Sequence, residues 1–276
     1  MSDLYDSFRR AVDCPEDRID LDRATLEICR SEYPHVNVEG YLSRLDELGQ
    51  VTQARVGESR SPYRIIAAIN TVLFKELGYR GNRADYYDPK NSFLTDVIER
   101  RAGIPISLSV LYMEVARRVG LALQGVGFPG HFLIKYQRGD GEILIDAFDR
   151  GEILTREDLD RLLKQLYGGK LSFQASFLAT AGKREILKRM LNNLKMIYLQ
   201  RNEALKALSI VEHLIILDPI SAADLRDRGL LYIQLECYAQ GLEDLENYLN
   251  RAPEAEDAAM IRARVATIKQ HSIRLH

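Results

Sequence analysis

Apolar positions recur at helical spacing through most of the chain. Val38, Tyr41, Leu42, Leu45 and Leu48 share one stripe, and a looser stripe through Leu21, Leu26, Ile28 and Cys29 precedes it. Such i, i+3, i+4, i+7 recurrence marks amphipathic helices, so the first fifty residues read as helical scaffold. Pro62 opens another stretch with Ile65, Ile66, Ile69, Leu73 and Phe74 on one side. Gly78 closes it, as a residue tolerant of left-handed backbone does. A loop over 81–91 then gathers Asp85, Asp88, Pro89 and Asn91, short polar side chains that favour turns by bonding nearby backbone. From Ser92 to Arg101 a short amphipathic helix is predicted through Phe93, Leu94, Val97 and Ile98, and Gly103 with Pro105 breaks it. The strongest stripe follows: Leu108, Leu111, Tyr112, Val115 and Val119 lie on one face while Glu114, Arg117 and Arg118 lie elsewhere. That helix, from about Ser107 to Val119, is expected to be the buried centre of its domain.

After Gly120 the period shifts towards two, through Leu123 to Phe128, His131 to Tyr136 and Glu142 to Phe148. This predicts a small antiparallel sheet whose last hairpin turns near Gly139-Asp140-Gly141. Thr155 with Asp158 has the spacing of a helix start, so 156–166 reads as helix, and Gly168-Gly169 marks a boundary region. In the last third Leu191, Tyr198 and Pro219 recur as Leu225, Tyr232 and Pro253, each 34 residues on. That step is the tetratricopeptide period, with Ala207 and Gly241 where paired helices approach closely. Lys195 stands where the repeat usually has glycine, and Gly229 restores it in the second copy. Two helical hairpins are expected between 185 and 253, capped by a helix over 255–270. The chain therefore divides into 1–180, an α+β front domain, and 181–276, an all-α repeat domain.

A length of 276 residues suits two ordinary domains. The net charge of -2 offers no electrostatic reason to expect nucleic acid or an anionic membrane as partner. No basic and apolar leader opens the chain and no apolar run has the length of a span, which makes the cytoplasm the default location. Cys14, Cys29 and Cys237 form no Cys-x-x-Cys pair, so reduced thiols are expected, those of Cys29 and Cys237 packed inside helices. His35, His213, His271 and His276 lack metal spacing and read as surface or helix residues; no metal or cofactor is expected. Gly125 to Gly130 matches G-x-G-x-x-G, but Pro129 and a strand follow where a dinucleotide site needs a helix.

The runs Asp-Tyr-Tyr-Asp-Pro-Lys-Asn-Ser-Phe-Leu, Arg-Arg-Ala-Gly-Ile-Pro-Ile-Ser-Leu-Ser and Phe-Pro-Gly-His-Phe-Leu resemble the SirB family of bacterial proteins. The resemblance implies a transglutaminase-like (papain-like) front domain joined to tetratricopeptide repeats. Enzymes of that fold carry a Cys at a helix start and a His and an Asp on neighbouring strands, the imidazole taking the thiol proton and the carboxylate orienting the ring. Carried onto this chain, the resemblance puts His131 in the His place and Asp146 in the Asp place. Pro105 stands where the Cys belongs, and Ser107 lies two residues on. Ser107 has two readings, a nucleophile at a helix N-terminus or a helix cap. A hairpin loop over 137–140 sets His131 opposite Asp146; a slip of two residues keeps both on one face, a slip of one separates them. That pair also has two readings: a retained base with its orienting carboxylate, or a core histidine beside a turn ligand. The expectation is a binding or adaptor protein with incomplete catalytic machinery, meeting a protein or peptide partner through its repeats. The alternative is a hydrolase or acyl transferase on peptide or amide bonds using Ser107, His131 and Asp146.

Overall fold

A computed structural model of the protein describes residues 2–139 and 141–274. The helices are α1 (Ser2–Val12), α2 (Leu21–Ile28), α3 (Val38–Val56) and α4 (Pro62–Asn70), the last running on into a π-helical turn over Thr71–Glu76, just beyond which Gly78 takes φ 74°. Strand β1 (Arg80–Gly81) precedes α5 (Leu94–Arg100), and β2 (Ala102–Gly103) leads into α6 (Pro105–Arg118). Strands β3 (Gln124–Val126), β4 (Leu133–Arg138), β5 (Gly141–Asp146) and β6 (Glu152–Leu154) follow, then α7 (Arg156–Tyr167) and β7 (Thr180–Ala181). The rest is helical: α8 (Lys183–Gln200), α9 (Ala204–Leu217), α10 (Ala222–Gln234), α11 (Tyr238–Arg251) and α12 (Ala258–Arg274). The chain forms two compact units, one from Arg10 to Met190, the other from Leu191 onward together with the first residues up to Arg9.

In the first unit α6 is the central helix, packing on α2, α3, α4, α5 and β4. Its turns from Pro105 to Tyr112 are wholly buried, as the apolar stripe requires. It begins two residues earlier than the stripe alone suggests, because Pro105 takes the first helical position, where a missing N–H costs nothing. The five-stranded antiparallel sheet has the order β6-β5-β4-β3-β7. Val126, Phe128, Leu133 and Leu144 pack with Leu159 and Leu163 of α7. Thr155 and Asp158 close the capping box predicted for α7. The strands β6 and β7 and the short parallel pair β1–β2 carry no alternation long enough to read; each is three residues or fewer.

The second unit keeps the 34-residue period in its helix boundaries: α8 and α10 end at Gln200 and Gln234, α9 and α11 begin at Ala204 and Tyr238 and end at Leu217 and Arg251. Gly229 and Gly241 mark the close approach of α10 and α11, since a Cβ on Gly241 would lie 3.0 Å from the carbonyl oxygen of Gly229 and 2.5 Å from Ile233. Lys195, in the glycine place of the first copy, threads its chain inward to bond Asp227 Oδ2 at 2.7 Å. Ile233, Leu245, Tyr248, Ile261 and Val265 join α10, α11 and α12 in one core. His213 is a helix residue, as read, and a fully buried one on α9, with Phe8 and Tyr5 of α1 edge-on to its ring at 4.9 and 5.1 Å. Asp140 and His276 lie outside the described residues, and the side chain of His271 is not described.

Candidate functional site

The Phe128-Pro129-Gly130-His131 segment is a tight turn, closed by His131 N–H donating to the Phe128 carbonyl at 3.0 Å. Proline at its second place and Gly130 at φ 66° in its third are the residues such a turn demands. The turn delivers His131 just ahead of β4. Across the β4–β5 pair, Ile134 faces Ile145 and Arg138 faces Gly141, so the strands run closer to the tip than the loop over 137–140 predicts. The register is slipped by two residues from that expectation, which preserves the face. His131 and Asp146 accordingly meet, with Nε2 and Oδ2 2.8 Å apart and the two residues only 8% and 6% exposed.

Asp146 serves two purposes at once. Its Oδ1 accepts from the backbone N–H of Phe148 at 2.9 Å and of Asp149 at 3.3 Å, ordering the turn after β5, while Oδ2 holds the imidazole. One carboxylate thus touches both the imidazole and the turn. A carboxylate accepting at Nε2 puts the proton of the neutral ring there and leaves the lone pair on Nδ1, the arrangement of an imidazole ready to accept a proton.

What faces that imidazole is the ring of Phe148, edge-on at 5.9 Å. Phe148 lies against Gly81, where a Cβ would stand 2.6 Å from its ring, and Gly81 pairs with Gly103 in β1–β2. A Cβ on Gly103 would in turn stand 2.7 Å from Ser107 Oγ. The contacts from His131 to Ser107 thus run through Phe148 and two glycine backbones. Among the described residues Ser107 Oγ makes no hydrogen bond to His131. It is 0% exposed, accepts from Ile104 N–H at 3.1 Å and donates to the Asn91 carbonyl at 2.5 Å. Sitting at the third helical position and reaching back to the backbone of Ile104, it does the work of a capping residue. Pro105 has no ionisable group to offer.

Among the described residues none of the cysteines bonds His131 or Asp146. The Sγ of Cys29 bonds the Thr25 carbonyl, and burial pushes its thiol up to about 11. Cys14 and Cys237 are half-buried and bond carbonyls of their own segments, Cys237 at the start of α11 rather than within a helix. Among the described residues no cluster of three His, Cys, Asp or Glu has the geometry to hold a metal ion.

Three residues of this region carried no individual signal in the chain. Asn91, fully buried, is the hub of the 82–91 loop: Nδ2 donates to the carbonyls of Asp85 and Tyr86, and Oδ1 accepts from Asn82. It ties the loop bearing Tyr86 and Tyr87 to the start of α6. Phe148 fills the space before the imidazole. Arg189 of α8, which reads as one charge among many on a solvated helix, donates from Nη2 to the carbonyls of His131 at 2.6 Å and Phe128 at 3.4 Å.

Residues 39–192 match the family described as transglutaminase-like superfamily, and residues 194–266 match tetratricopeptide repeat. A UPF0162 protein of Xylella fastidiosa (strain 9a5c) is 37% identical over 95% of this chain and 94% of its own. Protein SirB1 of Salmonella typhimurium is 29% identical over 91% and 92%. F-box only protein 21 of Mus musculus is 38% identical over 139 residues, 48% of this chain and 21% of that protein. No solved structure matches the chain. Among the described residues no helix is long and apolar enough to cross a membrane.

Proposed function

The chain belongs to the UPF0162 family that includes SirB1, a transglutaminase-like domain followed by tetratricopeptide repeats, and from that membership we propose that it is a non-catalytic binding or adaptor protein. One observation carries the reading. The hydroxyl nearest the nucleophile position, that of Ser107, is buried and committed to Asn91 and Ile104, while Phe148 meets the imidazole. Covalent catalysis by this fold needs a nucleophile within hydrogen-bond reach of its base. The repeats supply the other half of the reading. They expose Met196, Leu199, Leu205, Ile220, Tyr238 and Met260, apolar side chains of the kind a partner peptide or helix covers.

The retained His131–Asp146 pair favours the alternative, a hydrolase or acyl transferase of peptide or amide bonds through Ser107, His131 and Asp146. That mechanism requires Ser107 to leave its cap and Phe148 to move aside. In the adaptor reading the pair instead holds the turn after β5. Affinity capture with the intact chain, and with Met196→Glu and Leu199→Glu combined, separates the two. The adaptor reading expects a stoichiometric protein partner lost in the double variant, and no turnover of peptide or amide substrates. Turnover that disappears in His131→Ala while the protein stays folded overturns it.

A further inference from the structure

The surface around the His131–Asp146 pair is aromatic and open. Tyr86 and Tyr87 stand edge-on to one another at 5.3 Å, Tyr86 stands edge-on to Phe148 at 6.2 Å, and Tyr87 is 64% exposed. On the other side of the Pro129-Gly130 turn are Leu166 and Tyr167 at the end of α7, both exposed; a Cβ on Gly130 would meet the Tyr167 hydroxyl at 3.2 Å and Leu166 at 3.3 Å. Solvated tyrosines and leucines gathered this densely are unusual for a surface with nothing to bind, and Tyr with Arg is the pairing enriched at the centre of protein interfaces.

Two guanidiniums lie within this ring of apolar groups. Arg83 rests over the Phe148 ring at 4.9 Å and reaches Asp149 at 3.4 Å. Arg189 is the informative one. It is half-buried, its hydrogen bonds go from Nη2 alone to two carbonyl oxygens, and among the described residues no carboxylate comes within 4.0 Å of it. Glu185, one turn earlier on the same helix, keeps it company without a direct ion pair among the described residues: a Cβ on Gly127 would stand 3.2 Å from Arg189 Nη1 and 3.7 Å from Glu185 Oε1. Burial draws the Arg189 guanidinium below its ordinary pKa, by more than the nearby Tyr86 hydroxyl and Glu185 carboxylate offset. A guanidinium with free N–H groups is shaped to receive a carboxylate in bidentate fashion.

We propose that this face of the front domain docks an acidic peptide segment of a partner protein, with a carboxylate on Arg189 beside His131 and flanking apolar side chains on Tyr86, Tyr87, Leu166 and Tyr167. The inference rests on the binding-protein reading and gives the front domain its own peptide site, separate from any site on the repeats. Charge decides the partner's chemistry: Arg189 is half-buried and only partly offset by Glu185, so a basic segment would meet a like charge and a neutral one would add no counter-charge.

The test uses the full-length protein and a fluorescein-labelled heptapeptide positional-scanning library read by anisotropy. Selection of Asp or Glu at one position and of Leu, Phe or Tyr beside it is the expected result. The best acidic peptide and its twin with Asn or Gln at the acidic position are then compared, and the twin is expected to bind at least tenfold more weakly. Arg189→Gln should weaken the acidic peptide to the level of its twin, and Tyr87→Ala should weaken it severalfold. Met196→Glu with Leu199→Glu should leave it unchanged. Because Arg189 also holds two carbonyls, the peptide twin and Tyr87→Ala keep the test sound if Arg189→Gln misfolds. Absence of acidic selection, equal binding of the twin, or loss of binding in the repeat variant alone overturns the proposal. Enzymatic turnover would instead sink the adaptor reading, so the two failures are distinguishable.

Discussion

Ser107 and Ser109 offer a matched pair of perturbations on α6, because both are 0% exposed and only one is bonded. Ser107 Oγ joins the Ile104 N–H to the Asn91 carbonyl, whereas Ser109 Oγ is buried without a partner. Ser107→Ala removes an acceptor and a donor at once. Each buried group so stranded costs about 1–3 kcal/mol, but the Ile104 N–H retains a long bond of 3.4 Å to the Asn91 oxygen, which trims the loss. A net cost of about 2–3 kcal/mol follows, or a urea midpoint lowered by roughly 1 M for a slope near 2 kcal/mol per M. Ser109→Ala should be neutral or stabilising, since it discards an unsatisfied hydroxyl from an apolar site. Urea melts followed by circular dichroism give the two values. Because two units need not unfold together, amide exchange over residues 91–111 should localise the loss to the α6 start and the loop that Asn91 anchors. Equal effects of the two substitutions, or a Ser107→Ala cost below about 0.5 kcal/mol, would refute the capping account and free that hydroxyl for another role.

Leu111→Ala, at a position 1% exposed in the central helix, should cost about 2–5 kcal/mol in the same melts, and a loss under about 1 kcal/mol would show the stripe to be misplaced. Glu114 gives a pH test: burial, then the charge of Asp22, raises its carboxyl to about 7 despite the bonds from Arg117 and Arg118. A carboxyl whose folded pKa exceeds its unfolded value stabilises fully below the unfolded value and loses that contribution as pH rises through the folded one. The Arg10–Met190 unit should therefore weaken by about 1–3 kcal/mol between pH 5 and 8, and Glu114→Gln should flatten the profile. Asp22, pushed up by burial but held low overall by Arg118 and its neighbours, acts only below that window. His213 works in the other direction, since burial lowers it to about 4 against the Ser209 carbonyl. Its neutral form stabilises the repeat unit above the unfolded value, and acid should remove about 1–3 kcal/mol as pH falls from 6.5 to 4; urea midpoints of His213→Phe should lack that slope.

Long periodic elements were legible in the chain because one physical cause, a buried stripe, writes each of them. The α6 stripe and the 34-residue step both act through apolar and small residues at fixed spacing, and the helix ends at Gln200 and Gln234 keep that step. Parity protected the His131–Asp146 contact: the register slipped by two residues, and a slip of two leaves both side chains on one face. The exact register was not legible because it is decided by the length of the turn, which alternation does not encode. Asn91, Phe148 and Arg189 were unreadable for a different reason. Their roles depend on contacts distant in sequence, 16 positions from Ser107 to Asn91 and 58 from Arg189 to His131, and nothing local distinguishes a loop-anchoring asparagine from any turn asparagine. His213 looked like an ordinary polar helix residue because the aromatic rings that bury it, Tyr5 and Phe8, lie some two hundred residues away.

The proposal that no nucleophile serves the His131–Asp146 pair is tested most directly by treating the intact protein with a fluorophosphonate probe and mapping the modified residues by mass spectrometry. A hydroxyl that is buried and bonded to Asn91 and Ile104 should not react, so the account predicts no modification of Ser107. Labelling of Ser107 that vanishes in a folded His131→Ala protein would contradict it, because only a base-activated hydroxyl reacts selectively with such a probe.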